Sequence, residues 1–188
     1  MNITAEELAY WYLRLNGFLT INGFVVHPDQ GRRQRTEVDF IAARFPFRSE
    51  LETNPMVDDP LLVSDSRKIR LILGEVKTSR CVLNGPWNRR EARNMQLVLR
   101  ALGSFPLDRI EDVAQALYSE GLYEDEFYLM NICCIGNEKN IDVEEKFPLI
   151  PQILWDQVAN FIFERFRTYQ QKIEHPQWNT SGKQLWVW

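Results

Sequence analysis

Histidine occurs twice in this chain, cysteine three times, and glycine and proline only nine times each. His27 and His175 lie far apart, so no local spacing supplies a histidine base or a zinc site. Cys81, Cys133 and Cys134 are odd in number. The last two are neighbours in a β-forming run, where consecutive side chains point to opposite faces, so neither a disulfide framework nor a zinc set is indicated. Sparse glycine and proline, with no low-complexity tract and no recurring period, exclude disordered, collagen-like and solenoid classes. No glycine-rich phosphate cradle, Walker sequence or nucleophile elbow is present, which removes P-loop nucleotide hydrolysis. No apolar run approaches the roughly 18 to 20 residues needed to cross a bilayer. Glu6 and Glu7 stand where a secretion signal would be basic. We therefore expect a cytoplasmic chain with no membrane partner, in which the sequons at Asn2 and Asn179 are chance matches.

What is present is the composition of a globular protein, with 45% hydrophobic and 26% charged residues over 188 positions. That length suits one domain over residues 1–188. The net charge of −4 is unevenly distributed: residues 1–66 carry −4, residues 67–100 carry +7 and residues 101–188 carry −7. The basic middle reads either as a phosphate-facing surface or as a solvated helix and strand end.

Thr4 precedes Ala5-Glu6-Glu7, so its hydroxyl can cap a helix whose Glu7 returns the hydrogen bond. Asn16-Gly17 ends that helix. Residues 18–27 and 36–44 (TEVDFIAAR) read as two strands of a hairpin. Residues 45–67, with Pro46, Pro55 and Pro60, read as a long excursion. Residues 68–77 (KIRLILGEVK) predict a strand that enters the core and emerges at GEVK. Met95, Val98, Leu99 and Leu102 repeat at helical spacing and predict a helix over 87–102. A shorter helix over 107–119, a buried strand over 126–136 and a long helix over 151–171, opened by a proline, complete the order. This pattern fits an α/β fold, a mixed sheet flanked by helices. The tail 177–188 holds three tryptophans, expected to dock on the body, with base stacking or a dimer contact as alternatives.

Within a strand, residues two apart share a face, so Glu75 and Lys77 project together. Glu6 shares a helical face with Ala9 and Leu13, which predicts that it points inward. Glu6, Asp39 and Glu75 could then converge, and crowded carboxylates require a cation. Lys77 supplies one charge, and the remaining excess favours a hard divalent ion such as Mg²⁺. The competing reading has Asp39 and Glu75 in ordinary salt bridges with Arg35, Arg70 or Lys77, and an acid-x-lysine triplet is a weak signal in a chain one quarter charged.

The order of these residues is more specific. A glutamate on a first helix, Asp39 in a second strand and Glu75-x-Lys77 ending a third resemble the PD-(D/E)XK nuclease superfamily. AEELAYWYLRLNGF, TEVDFIAAR and LILGEVKTSR are similar to stretches of archaeal Holliday-junction resolvases and related small bacterial nuclease-like proteins. The likeness covers residues 4–103 and the strand at 126–136, and residues 137–188 add a C-terminal helix and tail outside it. It implies a restriction-endonuclease-like sheet with an α-β-β-β-α-β core. It implies Asp39, Glu75 and the Val76 carbonyl as ligands of Mg²⁺ or Mn²⁺, and Lys77 as the residue that orients water or stabilises the transition state. Glu6 would be an accessory acid and Gln96 the helix glutamine of several branches. Arg80, Arg89, Arg90 and Arg93, inside the basic block, are candidate phosphate contacts, although solvation of a helix explains them equally. The expectation is a metal-dependent DNA nuclease, and the rival is a non-catalytic nuclease-like domain that binds nucleic acid or a protein partner, with a homodimer or partner contact through the tail left open.

Overall fold

The structure, a computed structural model, describes residues 3–27, 35–49, 54–63, 67–169 and 180–187. The chain opens with helix α1 (Ala5–Leu15), and its capping box forms as the sequence predicts: Thr4 Oγ1 accepts the Glu7 N–H at 3.2 Å, and the Glu7 carboxylate accepts the Thr4 N–H at 3.0 Å. Strands β1 (Leu19–Val26), β2 (Thr36–Arg44) and β3 (Ile69–Val76) follow as an antiparallel meander. The hairpin turn between β1 and β2 lies outside the described residues, and the described parts of 45–67 contain no helix or strand.

After β3 come α2 (Gly85–Asn88), a 3₁₀ turn (Arg90–Ala92), α3 (Asn94–Leu102) and α4 (Ile110–Glu120). One helix over 87–102 is not formed. Arg93 takes a left-handed conformation at φ 54°, which a continuous right-handed helix cannot accommodate, and regular winding starts only at Asn94. The chain then returns through β4 (Leu122–Glu124) and β5 (Tyr128–Gly136). Next come α5 (Ile141–Lys146), β6 (Gln152–Leu154), α6 (Trp155–Thr168) and α7 (Thr180–Trp186). The helix expected from Pro151 starts at Trp155 instead, because Gln152–Leu154 pair in parallel with Cys134–Gly136 and this strand pairing overrides the proline signal.

Strands β1 to β6 form one mixed sheet in the order β1-β2-β3-β5-β4, with β6 also pairing with β5. β3 and β5 run parallel, so the chain between them crosses over through α3 and α4. One face packs Ile41, Leu73 and Cys134 with Trp87, Met95 and Leu117, and the other packs Phe40, Ile72 and Cys133 with Trp11, Tyr12 and Ile162. The fold is therefore α/β, a mixed sheet between two helical layers. Cys133 and Cys134 fall on opposite faces as alternation requires, and all three cysteines are free and buried. Helix α7 docks as expected for the tail: the Trp11 indole donates to Ser181 Oγ at 3.1 Å and the Trp186 ring meets Phe166 edge to face. Trp178 and Trp188 lie outside the described residues, as do Asn2, Asn179 and His175. Among the described residues no helix is long and apolar enough to cross a membrane.

Candidate active site

The ladder between β2 and β3 runs from Arg44–Arg70 to Phe40–Gly74 and ends there. Gly74 is required at the last rung, since a Cβ on it would fall within 1.8 Å of the Phe40 ring. Beyond it, alternation in β2 slips: Phe40 joins the α1 face while Val38 joins the α3 face. The side chain between them, Asp39, turns toward the strand neighbour and accepts the Val76 N–H at 2.7 Å. A carboxylate thus takes the donor that the next backbone rung would have used.

Glu75 is 1% exposed. Its Oε2 accepts from Lys77 Nζ at 2.5 Å and its Oε1 accepts the indole N–H of Trp87, a residue 1% exposed at the centre of α2. Lys77 Nζ also lies 3.6 Å from Asp39 Oδ2. The Lys77 backbone is held on both sides, its N–H donating to Ile135 O at 2.8 Å and its carbonyl accepting the Trp155 indole N–H at 2.9 Å. Burial pushes the Glu75 carboxyl above the ordinary carboxylate range; Lys77 and Trp87 pull it back in part, and Asp39 adds to the rise. Burial alone would lower the Lys77 ammonium, but Glu75 and Asp39 outweigh it and the net direction is upward. Lys77 is therefore a charged ammonium at neutral pH.

Of the predicted residues, Asp39, Glu75, Val76 and Lys77 come together. Glu6 does not point inward: it is exposed, because the capping box sets the first turn at the edge of the core, and among the described residues no hydrogen bond or ion pair ties its carboxylate to the others. Gln96 is buried, but its amide donates to Glu111 of α4 at 3.2 Å and its Oε1 has no partner among the described residues. Arg93 pairs with Glu111 at 2.8 Å, while Arg80, Arg89 and Arg90 are exposed. Arg35 is taken up by Asn94 Oδ1 at 3.2 Å and Ala92 O at 2.8 Å, and His27 is an exposed residue past the end of β1.

The oxygens that could hold a hard cation are those of Asp39, Glu75 and the Val76 carbonyl. The Lys77 ammonium stands within 4 Å of both carboxylates, so Asp39 and Glu75 can serve one positive charge, and the Val76 carbonyl, on the β2 side of β3 with its N–H, is a third oxygen. Among the described residues no group of three or more His, Cys, Asp and Glu side chains converges. A cavity of about 390 Å³ between residues 57–60 and the end of α6, lined by Asp59, Phe161, Arg165 and Tyr169 among others, includes none of the predicted site residues. Trp87 and Trp155 were not singled out by the sequence as site residues. Their hydrogen bonds span 12 and 78 positions, and such separations leave no local pattern. Compared with known proteins, the chain matches no protein-family model, no curated protein and no solved structure.

Proposed function

We propose that this chain hydrolyses phosphodiester bonds in DNA with a divalent cation, as a nuclease of restriction-endonuclease-like fold. The observation that carries the reading is one ammonium shared by two carboxylates: Lys77 Nζ lies 2.5 Å from Glu75 Oε2 and 3.6 Å from Asp39 Oδ2 at the emerging end of β3. Bound Mg²⁺ or Mn²⁺ would supply Lewis-acid chemistry and a water made acidic enough to act as nucleophile. Asp39, fixed by the Val76 N–H, and Glu75 would hold the ion. The Lys77 ammonium orients the nucleophile and stabilises charge building on phosphorus. Exposed Arg89 and Arg90 supply contacts to flanking phosphates.

A second reading, a nuclease-like domain that binds nucleic acid or a protein without cleaving, is favoured by the saturation of Glu75, both of whose oxygens already accept protein hydrogen bonds. One experiment separates the two. Labelled single-stranded, duplex and branched DNA, with RNA in parallel, is incubated with Mg²⁺ or Mn²⁺ and either wild type or Asp39→Asn. Cleavage of at least one substrate, slowed by about 100-fold or more in a folded Asp39→Asn protein, supports the nuclease. A folded wild type that cleaves nothing in the panel leaves the binding reading.

A further inference from the structure

Four hydrogen bonds fasten the end of β3, each from a different element. Asp39 of β2 takes the Val76 N–H, and Ile135 of β5 takes the Lys77 N–H. The two remaining anchors are indoles, and they arrive from opposite faces of the sheet. Trp87 belongs to the cluster with Met95 and Leu117 and donates to Glu75 Oε1. Trp155 packs against the cluster with Tyr12 and Ile162 and donates to the Lys77 carbonyl at 2.9 Å. An indole N–H is a donor only, with no acceptor role and no titration, so each contact fixes one oxygen without adding charge. A ring this large also has few alternative rotamers once packed, so the donor's position is set by the core.

We infer that Trp87 and Trp155 are positioning residues that clamp the Glu75-Val76-Lys77 triplet from the two faces of the sheet, Trp87 setting the carboxylate of Glu75 and Trp155 the backbone from which Lys77 projects. This deepens the nuclease reading and rests on it for its catalytic meaning. A ligating carboxylate is oriented by the hydrogen bond its outer oxygen accepts, and removal of such a partner commonly costs 10- to 100-fold in metal affinity or activity. Trp155 opens α6, outside the region of family likeness, so the C-terminal third contributes directly to the geometry of the site. Trp87 stands two residues before Arg89, which joins the acid to the segment bearing the exposed arginines.

The test uses the full chain and replaces each tryptophan by phenylalanine, which keeps an aromatic ring and removes the N–H. The first arm needs no metal. In ¹⁵N-labelled protein the indole resonances are assigned from the Trp→Phe variants, and Glu75→Gln is then introduced. The Trp87 indole signal should move upfield on loss of the charged acceptor, while that of Trp11, bonded to Ser181 on the opposite face of the sheet, stays in place. An unmoved Trp87 signal overturns the clamp, whether or not the protein cleaves DNA. The second arm titrates Mn²⁺ into wild type and variants by calorimetry. Binding weakened 10- to 100-fold in Trp87→Phe, with its unfolding midpoint close to wild type, is the expected result, and equal or tighter binding overturns the role toward the ion. If wild type binds no Mn²⁺, the metal reading fails and the resonance arm decides the clamp alone. For Trp155→Phe, a fall in kcat at unchanged KM is expected, and unchanged kcat removes that half of the clamp.

Discussion

Among the described residues, Lys77 is the only cation hydrogen-bonded to the carboxylate of Glu75, which is almost fully removed from water. Removing one partner of such a pair leaves a buried charge uncompensated, and the typical cost is about 3–5 kcal/mol. Lys77→Met is therefore expected to lose stability of that order at pH 7 in urea unfolding, and Glu75→Gln in the same chain should restore much of it. A purely catalytic lysine could be truncated without this penalty, so cleavage assays of Lys77 variants need a folding control. The pH dependence has a definite sign. Burial raises the Glu75 carboxyl, so between the unfolded value of about 4.3 and its raised native value the folded protein binds the proton more tightly. Stability from this group is complete below about pH 4.3 and falls as pH rises through the native value. Loss of the Lys77 ammonium raises that value further. The deficit of Lys77→Met should accordingly be largest at neutral pH and shrink toward pH 4, and a deficit constant from pH 4 to 8 would refute the assignment.

At the scale of elements, the end of β3 is made by the Phe40 ring lying over Gly74, which lets Asp39 turn into the sheet plane. Gly74→Ala should cost about 1–3 kcal/mol by overpacking, read as a lower unfolding midpoint, and Phe40→Leu beside it should recover part of the loss. If Gly74→Ala alone is neutral, the ring does not depend on that space. This rung also shows what the sequence makes legible. β-Forming runs identified the strands that carry Asp39 and Glu75-x-Lys77, alternation put Glu75 and Lys77 on one face, and the capping box at Thr4 fixed the start of α1. The inward reading of Glu6 failed because a first-turn residue on an apolar helical face still emerges where the core ends. Periodicity over Met95 to Leu102 identified α3 but could not register the left-handed Arg93 that starts it, and Pro151 could not reveal that β5 offers its neighbours a strand partner. Trp87 reads locally as one more apolar residue. Its role is set by a glutamate twelve positions earlier, and only tertiary packing joins them.

Across the whole molecule, the difficulty is how a chain of net charge −4 would hold a polyanion. The basic block at residues 67–100 is partly neutralised from within the protein: Lys77 serves Glu75 and Asp39, Lys68 meets Glu124 at 2.6 Å and Arg93 meets Glu111 at 2.8 Å. Arg35, outside the block, is bound to Asn94 and Ala92. Arg89 and Arg90, exposed just beyond α2 and two and three positions after the Trp87 anchor, are the cations we propose for phosphate contact. Each arginine that neutralises one phosphate of duplex DNA contributes about 0.9 to the slope of log affinity against log salt. Replacement of both Arg89 and Arg90 by alanine should therefore lower that slope by about 1.8. Arg93→Ala should change it much less, since Glu111 already holds that guanidinium. Fluorescence anisotropy across a salt series in chelator, where cleavage cannot proceed, reads all three proteins. A wild-type slope near zero would exclude electrostatic binding of DNA by this chain, and an unchanged slope in the double variant would move the contact to another part of the basic block, with exposed Arg80 the first residue to replace.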